Sequence, residues 1–150
     1  QRAQRLLLDP GISVVREAIA AVKTAKVRAM HDLTEGGLAT GIREMAEIAG
    51  LGAEVDRQRI PIFPETQRFC SYYGLNPLGL IASGSLLIAV AMRDRNKVLS
   101  ALRAEGIRAE DIGCLVEKAR GIKLVEDGRL RDLSAFEVDE VTRILSSRRL

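Results

Sequence analysis

The chain has 150 residues, with 23 Lys plus Arg against 20 Asp plus Glu, one His and two Cys. Its 47% hydrophobic and 29% charged content is typical of a globular domain that buries a core, and excludes a disordered chain. The net charge of +3 and the 3% aromatic content do not favour nucleic-acid binding. The longest apolar run, residues 86–92, is too short to span a membrane. Cys70 and Cys114 are too far apart for a paired-cysteine metal site and indicate reduced thiols. We therefore predict a cytoplasmic protein with no nucleic-acid or membrane partner.

Hydrophobic periodicity predicts the elements in chain order. Helices are expected where apolar residues recur every three or four positions, and strands where short apolar runs lie between turn residues. The predicted helices cover residues 14–22, 38–49, 65–73, 96–105 and 138–145. The predicted strands cover residues 27–30, 53–56, 86–92, 111–116, 122–126 and 129–133. Ser13 is a candidate N-cap for the first helix, because its hydroxyl can accept from the free N–H groups there.

The mixture of strands and helices predicts an α+β domain with a mixed or antiparallel sheet flanked by helices. The run 86–92 lacks polar alternation and predicts a central strand covered on both faces. Asp127-Gly128 predicts a hairpin between the last two strands. Cys70 and Cys114 are both expected in the core. Residues 1–150 are expected to form a single domain. Because the first residue is Gln and not Met, we expect a longer protein, with residues 1–10 as a lead-in or linker.

A polar turn, residues 31–37, joins the end of a predicted strand to the start of a predicted helix. The first N–H groups of a helix lack intrahelical partners, and the helix dipole favours an anion there. Gly36 and Gly37 lack side chains, so a phosphate could approach their backbone closely. Thr34 could cap the helix or donate to a phosphate oxygen.

Two side chains of the turn are suited to chemistry, and a third charge constrains the ligand. Asp32 could orient a metal-bound water or a substrate hydroxyl, and His31 could donate a proton or a hydrogen bond. Asp32 and Glu35 are both negative, which disfavours a bare phosphate unless Mg²⁺ intervenes. The alternative is a purely structural turn, since a Thr cap and paired glycines occur at many strand-to-helix junctions.

Residues 30–40, with the sequence MHDLTEGGLAT, resemble the H-D-x-T-x-G-G-L-A motif in the C-terminal domain of AIR synthase-related proteins. That superfamily includes aminoimidazole ribonucleotide synthetase and selenophosphate synthetase. The order of the segments 44–50, 55–56, 60–62 and 73–78 is similar to the branch of hydrogenase expression/formation proteins called HypE. The resemblance covers roughly residues 10–120.

The resemblance implies a three-layer α/β/α domain with a mixed, mostly antiparallel sheet. It also implies ATP and Mg²⁺ as cofactors, and an N-terminal ATP-binding domain of the same chain as the partner that completes the site. A homodimer and contacts with hydrogenase maturation proteins are further implied partners. The implied activity is the ATP-dependent phosphorylation of an amide or carbamoyl-type oxygen, for which this domain alone would be inactive.

The family motif can be transferred to this sequence residue by residue. It implies catalytic roles for His31 and Asp32, with Asp32 also as a metal ligand. The implied cofactor-binding residues are Thr34, Glu35, Gly36, Gly37, Ser83 and Gly84.

Two departures from the HypE pattern leave alternatives open. Ser83 stands where the HypE branch has Glu, and no Cys follows Cys114, whereas the nitrile-forming cycle of that branch needs a C-terminal Cys. One alternative is a HypE-related nucleotide-binding or assembly module without nitrile-forming chemistry. A plain interaction domain, in which the turn is structural, is the other.

Overall fold

The computed structural model describes residues 2–9 and 11–147. Gln1, Pro10 and residues 148–150, which belong to the expected lead-in 1–10 and domain 1–150, lie outside the described residues. The helices are α1 (Arg2–Leu6), α2 (Val15–Thr24), α3 (Gly37–Ile48), α4 (Pro64–Tyr73), α5 (Arg95–Ala104) and α6 (Glu140–Ser147). The strands are β1 (Val27–Asp32), β2 (Gly52–Asp56), β3 (Leu86–Val90), β4 (Gly113–Val116), β5 (Ile122–Glu126) and β6 (Arg129–Asp132). The predicted α+β class is confirmed.

The strands form two sheets in the described part of the chain. One pairs β1 with β3 in antiparallel fashion, and the other has the order β4-β2-β5-β6. In the second sheet β2 and β5 are parallel, whereas β2 and β4, and β5 and β6, are antiparallel. The strands are therefore mixed and mostly antiparallel, as expected, and the predicted hairpin at Asp127-Gly128 joins β5 to β6.

Helix α3 packs against both sheets, contacting β1 and β3 of one and β2 of the other. Its buried residues Ala39, Ile42 and Ala46 form one core cluster with Ala53 and Val55 of β2, and β3 contributes one side chain to the edge of this cluster. On the other face of the β1–β3 pair, α2 and α5 pack together over a second cluster. Successive strand residues point to opposite faces, so β3 contributes Leu87 to the first cluster and Ile88 to the second, whereas the apolar side chains of β1 pack against the second. This arrangement fixes the end of β1 directly beside the start of α3.

The run 86–92 differs from its prediction as a central strand. Among the described residues, β3 pairs only with β1, and each of its five residues is half-buried. The strand ends at Val90, and Met92 is exposed in a short 3₁₀ turn. The absence of polar alternation instead reflects helices packed on both faces of a narrow two-stranded sheet.

Two local expectations are also wrong. Helix α2 begins at Val15 with Val14 in the N-cap position and no side-chain cap, so Ser13 lies one residue too early to cap it. Cys114 is exposed on β4, at the edge of the four-stranded sheet, whereas its neighbour Leu115 packs against the core. Cys70 is buried, as expected.

The first 22 residues carry several exposed apolar side chains. Helix α2 buries Ala20 and Ala21, and its larger apolar residues point outward. We call the exposed set the N-terminal apolar patch: Leu7, Leu8, Ile12, Val15, Ile19 and Val22. Val15, Ile19 and Val22 share one face of α2 by their spacing, and an exposed apolar helix face is typical of a contact with another folded unit. None of the helices in the described part of the chain is both long and apolar enough to cross a membrane.

Candidate functional site

The candidate site is the bend, residues 33–36, that follows β1 and leads into α3. Leu33 is buried, and its N–H donates to the carbonyl oxygen of Ser85 at 3.0 Å. Gly36 takes the N-cap position of α3 with a φ of 72°, and Gly37 follows with a φ of 58°. Both values lie in the left-handed region, which glycine adopts without steric cost. The chain therefore passes from strand to helix within four residues.

The room left by the two glycines is occupied by the chain itself. A Cβ on Gly37 would overlap the carbonyl oxygens of Leu78 and Leu80, and one on Gly36 would overlap the side chain of Thr40. Both glycines are buried. Their place in the sequence is explained by close packing of the bend against residues 78–80 and against α3, so an open phosphate cradle is not needed to account for them.

The N–H group of Gly36 already has an anionic partner. It donates to Oδ2 of Asp139 at 2.9 Å, and this carboxylate is buried, with 6% of the residue exposed. The other oxygen, Oδ1, accepts from the N–H of Val141 at 2.9 Å and so caps α6. An internal carboxylate thus occupies the position at the start of α3 where the helix dipole favours an anion. Sequence reasoning missed Asp139, although an Asp directly before a helix is a known N-cap signal.

His31 and Asp32 are neighbours in β1, but their side chains do not converge. Nδ1 of His31 lies 2.8 Å from the carbonyl oxygen of Asp32, and because a carbonyl only accepts, Nδ1 donates. Nε2 lies 2.5 Å from Oε2 of Glu44 in α3, within hydrogen-bond distance. His31 therefore faces α3, and Asp32 is exposed on the opposite face of the strand.

The turn that leads into β3 lies beside the bend. Asp32 is in register with Leu86 at the end of the β1–β3 ladder, and the Ser85 carbonyl accepts from Leu33. We call this end of the sheet the exposed edge. Its exposed residues include five predicted for the site: Asp32, Thr34, Glu35, Ser83 and Gly84. Within residues 2–9 and 11–147, the carboxylates of Asp32 and Glu35 have no hydrogen bond or ion pair.

Comparison with known proteins identifies the family of the chain. Residues 1–125 match the family described as "AIR synthase related protein, C-terminal domain". The chain belongs to this family. The resemblance that rested on residues 30–40 is thereby confirmed.

The relatives of this AIR synthase-related domain include proteins named for hydrogenase formation. It is 36% identical over 99 residues to a putative hydrogenase expression/formation protein of Methanocaldococcus jannaschii, covering 65% of this chain and 30% of that protein. It is 38% identical over 94 residues to carbamoyl dehydratase HypE of Rhodobacter capsulatus, covering 62% and 27%. The chain thus spans less than a third of the length of these relatives.

Solved structures support the same fold. The crystal structure of E. coli HypE, a hydrogenase maturation protein, superposes with a TM-score of 0.78 at 29% identity, covering 87% of this chain and 42% of that one. A crystal structure of HypE in complex with ATP superposes with a TM-score of 0.68 at 27% identity, covering 75% and 37%. The domain therefore has the fold of part of HypE.

In this AIR synthase-related domain the five candidate residues of the exposed edge lie on the surface. An open cleft of about 590 Å³ is lined by residues that include Asn76, Glu140 and Arg143, and a second of about 370 Å³ lies beside Arg59. Neither includes a residue of the exposed edge. The described residues also contain no group of three or more His, Cys, Asp or Glu that could hold a metal ion. A metal at Asp32 would thus need ligands from elsewhere.

Glu140, beside the larger cleft, is held in its charged form. Burial raises the pKa of this carboxyl, but the N–H of Asn76 and the guanidinium of Arg143 together lower the pKa by more. The pKa of Glu140 therefore lies below its ordinary value. The Asn76 N–H donates to Oε2 at 2.7 Å, and Arg143 Nη1 lies 2.9 Å from each carboxylate oxygen. Burial, and secondly the charge of Glu140, raises the pKa of the Cys70 thiol.

Proposed function

We propose that this domain forms one wall of an Mg–ATP site in a HypE-like hydrogenase maturation protein. The other wall is the N-terminal ATP-binding domain of the same protein. The observation that carries the proposal is the exposed edge, where the predicted site residues gather on an open surface with two unpaired carboxylates. The names of the relatives and the HypE complex with ATP support the same role.

The chemistry of the exposed edge suits a nucleotide that carries a cation. The hydroxyls of Thr34 and Ser83 can donate to phosphate oxygens. The carboxylates of Asp32 and Glu35 repel a bare phosphate but are the hard oxygen ligands that Mg²⁺ prefers. In this proposal Gly36 and Gly37 allow the backbone conformation of the bend. Gly84 allows the turn before β3 to pack closely against Gly11 and Ile12. His31 holds the end of β1 by its bonds to Asp32 and to α3.

The N-terminal apolar patch supports a second wall on this side of the domain. A Cβ on Gly84 would lie 3.0 Å from the carbonyl oxygen of Gly11 and 3.2 Å from Cα of Ile12. The exposed edge and the patch are therefore in direct contact. A domain that covers the patch would also reach Ser83 and Asp32. The homodimer and the contacts with other maturation proteins belong to this proposal as well.

The reaction proposed for the whole protein is phosphorylation of an amide or carbamoyl-type oxygen, for which ATP supplies the phosphoryl group. A second function, nucleotide binding or assembly without nitrile-forming chemistry, is favoured by Ser83. A serine hydroxyl at this position cannot replace the carboxylate of the HypE pattern as a proton acceptor near neutral pH. The two functions differ in whether ATP is turned over with an amide substrate.

Calorimetric titration with ATP and Mg²⁺ tests the proposal on the complete polypeptide and on this 150-residue chain. We expect binding by the complete polypeptide and none by the chain alone, since the exposed edge is a single wall. Equal affinity of the two would contradict the two-wall site. No binding by the complete polypeptide would contradict the function. Phosphate release that depends on an amide or carbamoyl compound then separates the enzyme from the binding module.

A further inference from the structure

We propose that Asp139 and Glu140 form a clasp that positions the bend for nucleotide binding by tying it to residues 76–80 and to α6. The inference rests on the proposed function. These two residues lie outside residues 1–125, which match the family, and outside the motif of residues 30–40. Both are buried, with 6% and 5% of their surfaces exposed. Two adjacent buried acids are unusual and call for a structural reason.

Asp139 divides its two oxygens between two backbone segments. Oδ2 accepts from the N–H of Gly36, which lies 103 positions earlier in the chain, and Oδ1 accepts from the N–H of Val141. Both distances are 2.9 Å. A carboxylate that accepts from backbone N–H groups makes charge-assisted bonds, which are stronger than neutral ones. The bend is thereby fixed to the first turn of α6.

Glu140 performs the same task for the neighbouring loop. Its Oε2 accepts from the N–H of Asn76 at 2.7 Å, and Arg143 in α6 contacts both of its oxygens. The loop that starts at Asn76 supplies the carbonyl oxygens of Leu78 and Leu80, against which Gly37 is packed. The clasp therefore holds the bend from two sides, directly at Gly36 and indirectly through the surface that Gly37 rests on.

Phe136 adds an apolar contact to the clasp. A Cβ on Gly79 would overlap its ring, so the ring lies directly on the backbone of the same loop. The carbonyl oxygen of Leu133 accepts from Nη2 of Arg43 in α3 at 2.8 Å. The segment from Leu133 to Arg143 thus contacts the bend, the loop that starts at Asn76, and α3.

The geometry favours positioning over competition with a phosphate. If Asp139 merely blocked an anion site, removing its charge would free the N–H of Gly36 for a ligand. However, Gly36 and Gly37 are buried, and the space beside them is filled by Thr40 and by residues 78–80. A phosphate has no access to that N–H group. The nucleotide would contact only the exposed residues, and their placement depends on the bend.

The test compares Asp139→Asn with the wild type, with Glu137→Gln as the matched control. Asparagine has the shape of aspartate but a single acceptor oxygen, so one of the two N–H groups loses its partner. Glu137 is an exposed acid two positions away. Amide hydrogen exchange of this chain, followed by NMR, measures how often the backbone N–H groups of Gly36 and Asn76 open to solvent. Titration of the complete polypeptide with ATP and Mg²⁺, at a temperature where all variants are folded, measures its effect on the nucleotide.

We expect exchange at Gly36 to become at least about tenfold faster in Asp139→Asn, and ATP affinity to fall by about tenfold or more, because a lost charge-assisted bond has that size. Glu137→Gln should change neither. Glu140→Gln serves as the second variant and should accelerate exchange at Asn76 and weaken ATP binding, even where Asp139→Asn does not fold.

The outcomes separate this inference from the proposed function. Faster exchange with unchanged ATP affinity would mean a merely structural clasp and overturn the positioning role, while the nucleotide site stands. Tighter ATP binding in Asp139→Asn would show competition and overturn it as well. A wild-type polypeptide that binds no ATP overturns the proposed function and the positioning role together. In that case exchange at Gly36 and Asn76 still decides whether the clasp exists.

Discussion

Nε2 of His31 lies 2.5 Å from the carboxylate of Glu44. This contact joins the end of β1 to α3. The two side chains are 26% and 51% exposed, so the pair is only partly shielded from water. The same imidazole donates through Nδ1 to the carbonyl of Asp32. The only histidine of the chain is thus bonded at both nitrogens, and it holds the strand end that carries Asp32.

Removing this pair should lower stability modestly. We expect Glu44→Gln to reduce the free energy of unfolding by about 1 kcal/mol, because a partly exposed side-chain hydrogen bond contributes about that much. Urea unfolding measures the change. Glu47→Gln is the control. Glu47 lies in the same helix, three positions after Glu44, and its carboxylate is 3.7 Å from the guanidinium of Arg43, which is too far for a hydrogen bond. A larger loss at Glu47 than at Glu44 would contradict the assignment of His31.

Gly37 should be far less tolerant of a side chain than Gly50. Both have a positive φ, 58° and 68°, but a Cβ on Gly37 overlaps two carbonyl oxygens whereas one on Gly50 meets nothing within 4 Å. Gly50→Ala should therefore cost about 1 kcal/mol for its backbone conformation alone. Gly37→Ala should cost about 3 kcal/mol or more, because backbone must shift. Thermal or urea unfolding gives both values, and equal costs would contradict the close packing of the bend.

Most of the fold followed from local patterns. Helical periodicity and short apolar runs predicted five helices and six strands close to their observed positions, because each of these segments buries one face. The hairpin at Asp127-Gly128 followed from turn chemistry alone. The pairing of the strands did not. The run 86–92 has the same apolar sequence whether it has one neighbouring strand or two.

The site was less accessible to sequence reasoning. The motif identified the bend, but the partner of Gly36 is Asp139, 103 positions away, and no local pattern links them. The orientation of His31 and Asp32 also depended on where β1 ends. With the strand extended to Asp32, alternation places the two side chains on opposite faces. Tertiary contacts of this kind can only be found from coordinates.

The two thiols should differ sharply in reactivity. Cys114 is exposed, whereas Cys70 is buried and burial, with the nearby charge of Glu140, raises its pKa. Both effects reduce the thiolate of Cys70, which is the reactive form. With a thiol reagent at pH 8 we expect one rapid equivalent per folded chain, and the second only after denaturation. Cys114→Ser should remove the rapid phase. A rapid phase that survives in this variant would contradict the burial of Cys70.

Asp32 should matter for nucleotide binding but not for folding. Its carboxylate has no partner among the described residues, so Asp32→Asn should change the free energy of unfolding by no more than about 0.5 kcal/mol. In the complete polypeptide, affinity for Mg–ATP should fall by about tenfold or more, since a charged ligand to the cation is lost. Urea unfolding measures the change in stability, and calorimetric titration with ATP in the presence and absence of Mg²⁺ measures the change in affinity.

The control for Asp32 is Glu117→Gln, another exposed carboxylate without a side-chain partner in the described residues. It should leave stability and ATP affinity unchanged. If Asp32→Asn bound Mg–ATP as the wild type does, the exposed edge would not contact the cation. Unchanged phosphate release would likewise remove Asp32 from the proposed reaction.

Glu140 should make stability depend on pH in the acid range. Burial raises its pKa, but the Asn76 N–H and Arg143 lower it more, so the folded-state pKa lies below that of the unfolded chain. A lowered pKa stabilises the fold fully above the unfolded pKa of about 4.3, and this stabilisation is lost as the pH falls through the folded value. Unfolding free energies measured from pH 7 down to pH 3 should therefore fall less steeply below about pH 4.3 in Glu140→Gln than in the wild type. Glu137→Gln, exposed and three positions before Glu140, should retain the wild-type slope, and a slope that Glu140→Gln leaves unchanged would mean that Glu140 is not held charged by Asn76 and Arg143.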